Sequence, residues 1–220
     1  MEKNFYLLAE HGFFLFLGLL FFGSEDWLYD VTLMWNSQLS LKVFVYYYLY
    51  ISRYVVQTKQ LDGGNKEYYI YLAHHVFTVA LLVLSFFKQS RIGVTIAVMH
   101  EAADMFLLPG KICYRFYETR NIEILNTLSY ALFIIFVLVY FHTRIYWNGS
   151  IIHYIREQDF FQNGIVTFEN LDYFLCAYLL HLNLLVQLAW QFIICRFLYS
   201  ITSGKTAIDE KDQSYFKKKN

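Results

Sequence analysis

Proline is nearly absent: in 220 residues, Pro109 is the only one. Charge is scarce as well. Lys, Arg, Asp and Glu make up 16% of the chain, and the 18 basic and 18 acidic side chains cancel. A chain without basic excess offers no counter-surface to a phosphate backbone, which argues against a nucleic-acid partner. The three cysteines, Cys113, Cys176 and Cys195, are widely separated and in no metal-ligand spacing, so they read as structural or lipid-buried thiols. Alternation of apolar and polar residues does not recur, which argues against a transmembrane barrel. Neither a glycine-rich phosphate loop nor a serine-centred elbow is present, which removes kinase and serine-hydrolase chemistry.

Apolar surface is abundant instead, at 57% of residues, with 21% aromatic. A membrane-crossing helix needs about 20 mostly apolar residues. Six segments meet that demand: 5–22, 39–56, 68–87, 92–108, 124–147 and 173–199. Glu10 and His11 interrupt the first and no small-x-small cleavage site follows, so it reads as a helix and not a removed signal peptide. The expected fold is an all-α polytopic membrane protein, with six transmembrane helices over residues 1–204 and a charged cytosolic tail over 205–220.

Lysine and arginine in short loops set the orientation. Residues 23–38 carry neither. Lys59 and Lys66 follow the second helix, Lys111, Arg115 and Arg120 the fourth, and Lys205, Lys211 and Lys217 to Lys219 the sixth. Lys42, Lys88 and Arg91 blur the alternation, yet both termini in the cytosol fits best. Asn148-Gly149-Ser150 is then a luminal sequon, too near the fifth helix for efficient glycosylation. The ending KKKN resembles the dilysine retrieval signal of endoplasmic-reticulum membrane proteins, which is read in the cytosol. A solvated basic tail is the alternative, and the topology favours the signal.

Ionisable residues inside such helices are costly unless paired and are functional candidates by default. They cluster here. The third helix holds His74, His75 and Thr78, and the fourth holds His100, Glu101 and Asp104. His74 and Thr78 share one helix face, as do His100 and Asp104, each pair being four residues apart. At about 1.5 Å rise per residue, His74 lies roughly 9 Å in from Tyr68, and Asp104 roughly 9 Å from the point near Gly110 where the fourth helix leaves the membrane, with His100 about one turn deeper. Antiparallel neighbours would therefore bring three histidines and a carboxylate together in the cytosolic leaflet. Arg53, about one turn from the end of the second helix, either snorkels to the interface or pairs with Glu101.

Three chemistries compete for this set. His-Glu-x-x-Asp at 100–104 resembles the helical zinc motif, but aspartate replaces the second histidine, so a metal is the minority reading. Acyl transfer needs a base for an amine or hydroxyl nucleophile, and a histidine backed by a carboxylate four residues away supplies one. An adjacent histidine can act as general acid or covalent carrier. The third reading is binding of a lipid headgroup without reaction.

The stretch 62–111 resembles the longevity-assurance (Lag) motif of ceramide synthases, within the wider TLC membrane domain. It supplies Asp62, then Lys66-Glu67-Tyr68, His74-His75, Arg91-Ile92-Gly93, His100-Glu101-x-x-Asp104 and Lys111. Weaker likenesses lie in the Tyr-rich segment 47–54, in Thr143-Arg144 and around Trp190–Arg196. Departures are Glu101, where aspartate is usual, Leu108 in place of a glutamate, the unexpected Pro109, and Gln187 where a histidine is expected. The resemblance implies transfer of a fatty acyl group from acyl-CoA to the amine of a sphingoid base, in the endoplasmic-reticulum membrane. His74, His75, His100 and Asp104 would be catalytic, with Glu101, Arg91, Thr78 and Arg53 in support. Lys59, Lys66, Lys111 and Arg115 would meet the anionic head of acyl-CoA. No cofactor beyond that substrate is expected. Membrane lipids are the remaining partners, and homo- or hetero-oligomers stay open. A non-catalytic TLC-domain lipid sensor or cargo receptor is the rival, though one with no need of a base.

Overall fold

The computed structural model describes residues 2–35, 40–61, 63–64, 68–88, 90–158 and 171–202. Asp62, Lys66, Glu67 and the tail 205–220 with its KKKN ending lie outside the described residues. Among the described residues every regular element is helical: α1 Glu2–Phe22, α2 Leu41–Lys59, α3 Tyr68–Phe87, α4 Ile92–Arg120, α5 Glu123–Tyr140, a π-helical segment Phe141–Tyr146, α6 Trp147–Arg156 and α7 Leu171–Thr202. The fold is an all-α membrane bundle.

Contacts between helices show the alternating directions. Glu10 meets Arg53 and Phe14 meets Tyr50, so α1 and α2 run antiparallel. Phe44 on Phe86 and Tyr54 on His75 do the same for α2 and α3, and Tyr71 on Trp190 for α3 and α7. Close approach of α4 to its neighbours rests on two glycines. A Cβ at Gly18 would lie 2.6 Å from Val98, and one at Gly93 would lie 2.8 Å from the Tyr47 ring. Between α1 and α2, short 3-10 turns at Asp26–Leu28 and Val31–Leu33 fold back over the bundle end, burying Trp27 and Leu28.

Three elements differ from expectation. Five helices are long and apolar enough to cross a membrane, and α2 is not among them. Its polarity comes from Lys42, Arg53, Gln57 and Lys59 and, in smaller part, from a tyrosine row at 46, 50 and 54, stacked with ring centroids 5.6 and 5.2 Å apart. Those rings are buried in the bundle, where hydroxyls find backbone partners: Tyr46 reaches the Phe14 carbonyl at 3.3 Å, and its neighbour Tyr47 that of Ser90 at 2.6 Å. An inward-facing row of this kind lowers hydropathy without exposing a hydroxyl to lipid.

The fourth helix runs on through Pro109 to Arg120 instead of stopping at residue 108. A proline removes one backbone donor, which a packed neighbour makes tolerable inside a bundle. Here α5 lies directly alongside, and Ser129 Oγ donates to the Gly110 carbonyl at 2.9 Å. The helix ends at Asn121, whose left-handed backbone (φ 52°) lets its N–H close onto the Tyr117 carbonyl at 2.7 Å.

The expected long loop from 148 begins as helix, with α5, the π segment and α6 forming one run from 123 to 156. Ile151, Ile152 and Ile155 are buried against Ile92, Ile96 and Leu180, which supplies the driving force. Asn148 is thereby fully buried, with Nδ2 on the Arg144 carbonyl at 2.9 Å, so the sequon is closed to modification.

Candidate active site

Consecutive residues on a helix diverge by about 100°, so His74 and His75 face different neighbours. His74 faces α4, its ring centroid 6.0 Å from that of His100. Its Nδ1 lies 3.3 Å from Gln187 Nε2 and 3.4 Å from Thr78 Oγ1. The Gln187 Oε1 accepts from the Tyr140 hydroxyl at 2.6 Å, so the amide nitrogen points to the histidine. Nδ1 of His74 is therefore an acceptor, and in the neutral ring the proton sits on Nε2.

His75 takes the opposite tautomer. Its Nδ1 lies 2.8 Å from the Tyr71 carbonyl, which only an N–H can satisfy. The lone pair is then on Nε2; the His75 ring as a whole packs by Tyr54, with ring centroids 5.2 Å apart. His100 is 1% exposed, and among the described residues neither of its ring nitrogens has a hydrogen-bond partner.

Two arginines organise the carboxylates. Arg144 projects from the π segment, and its Nη2 donates to Asp104 Oδ2 at 2.6 Å and to the His100 carbonyl at 2.9 Å. Asp104 thus pairs with Arg144 and does not back the His100 ring, which corrects the pairing expected from their spacing of four. Arg53 does not snorkel. It donates from Nη1 to Glu101 Oε1 and from Nε to Glu10 Oε1, both at 2.6 Å. Its guanidinium lies 4.6 Å from the centroid of the Phe14 ring. Glu101 also receives the Tyr50 hydroxyl and lies 2.6 Å from His11 Nδ1. His11 stands 3.7 Å from Asp104, which joins the two ion-pair groups into one network spanning α1, α2, α4 and the π segment.

The supporting residues divide. Thr78 is buried beside His74, and Arg53 and Glu101 lie in the ion network. Arg91 is not brought to the cluster: it precedes α4 at the far end, with its guanidinium over Trp27 at 5.1 Å. Lys59, Lys111 and Arg115 are exposed on the final turns of α2 and the last third of α4, at the bundle end where α3 begins. Among the described residues, no three of His, Cys, Asp and Glu are grouped as metal ligands.

Sequence reasoning missed Glu10 and His11, Asn183, and the ion-pairing role of Arg144. Each had a signal. Glu10 and His11 break an apolar run, and Asn183 and Gln187 sit four apart, hence on one face, in the middle of a largely apolar helix.

Comparison with known proteins agrees with this architecture. The TLC domain profile matches residues 1–196. The chain belongs to the TLC domain family. Among curated relatives of this TLC-family chain is mouse (Mus musculus) ceramide synthase 4, 27% identical over 183 residues, 80% of this chain and 44% of the relative. Human (Homo sapiens) ceramide synthase 5 is 24% identical over 88% of this chain and 49% of the relative. Ceramide synthase LOH2 of Arabidopsis thaliana is 25% identical over 86% and 65%. The chain spans about half the length of most of the curated relatives it matches.

Proposed function

We propose that the protein is an N-acyltransferase of ceramide synthase type, moving a fatty acyl group from acyl-CoA to the amine of a sphingoid base. The observation that carries this reading is His100: a fully buried imidazole with neither nitrogen partnered among the described residues, facing a second histidine, while the neighbouring carboxylates Glu101 and Asp104 are paired with arginines. A sphingoid amine is largely protonated at neutral pH and must lose a proton before it attacks a thioester. A histidine lone pair supplies that base. The departing thiol, with a pKa of about 8.5 by analogy with cysteine, needs little help. His100 has a free lone pair for the amine, and the Nε2 of His75 is the second available one. His74, held as an Nε2 donor, is the ring placed to hand a proton on. Asp104 acts through Arg144, by fixing a cation beside the site and pinning the His100 carbonyl.

Lys59, Lys111 and Arg115, at the end nearest the histidines, suit the polyanionic head of acyl-CoA, and Lys66 joins them on the strength of the sequence motif alone. On this reading that end is cytosolic, both termini face the cytosol and the membrane is the endoplasmic reticulum. The acyl chain would run between helices toward the far leaflet. Purified protein given acyl-CoA and a long-chain base should form the N-acyl product, detected by mass spectrometry. No product over a range of acyl lengths sinks the proposal. The pairing of Asp104 with Arg144 favours the second reading, a TLC-domain lipid sensor or cargo receptor, because it leaves the histidines without a carboxylate. Tight binding of a sphingolipid with no turnover would select it.

A further inference from the structure

The polar groups around His74 can be followed donor by donor. The Tyr140 hydroxyl donates to Gln187 Oε1 at 2.6 Å, and Gln187 Nε2 is shared between His74 Nδ1 at 3.3 Å and Asn183 Oδ1 at 3.4 Å. Arg144 Nη2 is spent on Asp104 and the His100 carbonyl. With Gln187 on its oxygen, Asn183 turns its amide nitrogen away. That Nδ2 is buried and has no hydrogen-bond partner among the described residues, and Asn183 is 0% exposed. The Asn183 side chain is within hydrogen-bonding reach of His74, and it is Nδ2 that stays unpartnered.

A buried donor left unmade costs about 1–3 kcal/mol, and the surrounding segment LLHLNLLVQLAW could hold a leucine there instead. An amide retained in that position calls for an acceptor brought from outside. Around the histidines the unpartnered groups among the described residues come in two kinds. His100 offers lone-pair capacity, which suits an amine N–H, while Asn183 Nδ2 and Arg144 Nε offer N–H, which suits a carbonyl oxygen; of these two, Asn183 is the one whose side chain makes no ion pair. Those are the two reacting groups of an acyl transfer.

On the acyl-transfer reading, on which this inference rests, we propose that Asn183 is a further catalytic residue that donates from Nδ2 to the acyl carbonyl oxygen. When the nucleophile adds, its lone pair forms the new bond to the carbonyl carbon and the π pair moves onto oxygen, where Asn183 meets it. Collapse restores the C=O bond and expels the CoA thiolate. The proton taken from the amine by a histidine ends on that thiolate. The oxygen is the same whether the first nucleophile is the amine or a histidine.

The test uses the full chain in lipid nanodiscs with a long-chain acyl-CoA and sphinganine. Asn183→Asp keeps the shape and deletes the N–H; Asn183→Leu deletes both polar atoms. Loss of one oxyanion donor lowers kcat by roughly 100- to 1,000-fold, with KM little changed. An S-alkyl-CoA thioether, which has no carbonyl oxygen, should bind wild type and both variants alike. Wild-type kcat in Asn183→Leu, which has no donor in any protonation state, overturns the proposal. A parallel loss of thioether affinity also overturns it, because the residue would then be structural. If wild type itself transfers nothing, the acyl-transfer reading falls first and the inference with it.

Discussion

Arg53 bridges two carboxylates, the buried Glu101 and the half-buried Glu10, so its removal should cost more than removal of either acid. Arg53→Met leaves Glu101 and Glu10 without their guanidinium, each having held it at 2.6 Å. Glu101 keeps Tyr50 and His11, and Glu10 keeps Gln57 at 2.8 Å. Glu101→Gln, by contrast, leaves Arg53 still paired with Glu10. Breaking a buried pair by deleting one partner costs about 3–5 kcal/mol. Arg53→Met breaks two and belongs at or above the upper end. The glutamine variant strands no lone charge and should fall nearer the 1–3 kcal/mol of a buried hydrogen-bond defect. At about 2–4 °C per kcal/mol for a chain of this size, the melting points should drop by roughly 10–20 °C and 2–12 °C respectively. The assay is thermal unfolding of purified protein in nanodiscs, followed by intrinsic tryptophan fluorescence. Equal losses, or a larger loss for Glu101→Gln, would refute the idea that one guanidinium neutralises both acids. Glu101→Asp, which restores the family's usual residue, should also destabilise. It draws the carboxylate back by about 1.5 Å from three partners packed close around it.

Other consequences are testable in the same preparation. Asp104→Asn should lower turnover at least 100-fold, the scale of one acid–base contribution, while Arg144→Lys, which keeps the charge, should recover part of it in single-turnover assays if the carboxylate acts through the arginine. His100→Ala should abolish product with near-normal expression, and wild-type activity in a His74, His75 and His100 triple alanine variant would end the histidine-based mechanism. A C-terminal tag should be cleaved by protease added to intact microsomes, and protection of the tag would invert the topology. Asn148 should carry no glycan, so endoglycosidase treatment should leave gel mobility unchanged.

The histidines were legible in the sequence because depth along a helix is a simple function of residue count. His74 and Asp104 lie on different helices at equal depth from the same membrane face, with His100 one turn deeper, which brings the two helices' polar groups together; the structure places the His74 and His100 rings 6.0 Å apart. Arg53 with Glu101 was legible as one of two options because buried charges need partners. Asp104 was misassigned for a physical reason: a spacing of four guarantees a shared face, but not which neighbour arrives there. Arg144 arrives from a π segment, whose extra residue is invisible to a 3.6-residue period. The polarity of α2 hid differently. Tyrosine counts as half-polar in composition, and only the packed structure shows that its hydroxyls turn inward. Glu10 and His11 stood in plain view, but the sequence did not show that the first helix carries part of the site.

The π segment also governs what the rest of its helix can touch. A wide turn at Phe141–Tyr146 acts as one inserted residue and so resets the helix face by about 100°. Before it, Phe136 and Tyr140 pack with Ala103 of α4; after it, Ile151, Ile152 and Ile155 pack with Ile92 of α4, Ile96 and Leu180. One rod thus works as a crankshaft, its two throws set at different angles in separate parts of the bundle, with Arg144 on the crank between them. Deleting a single residue from 141–146 would straighten the shaft. Either throw would then have to leave its seat, and the arginine would swing off Asp104 although every residue of both cores was still in the chain.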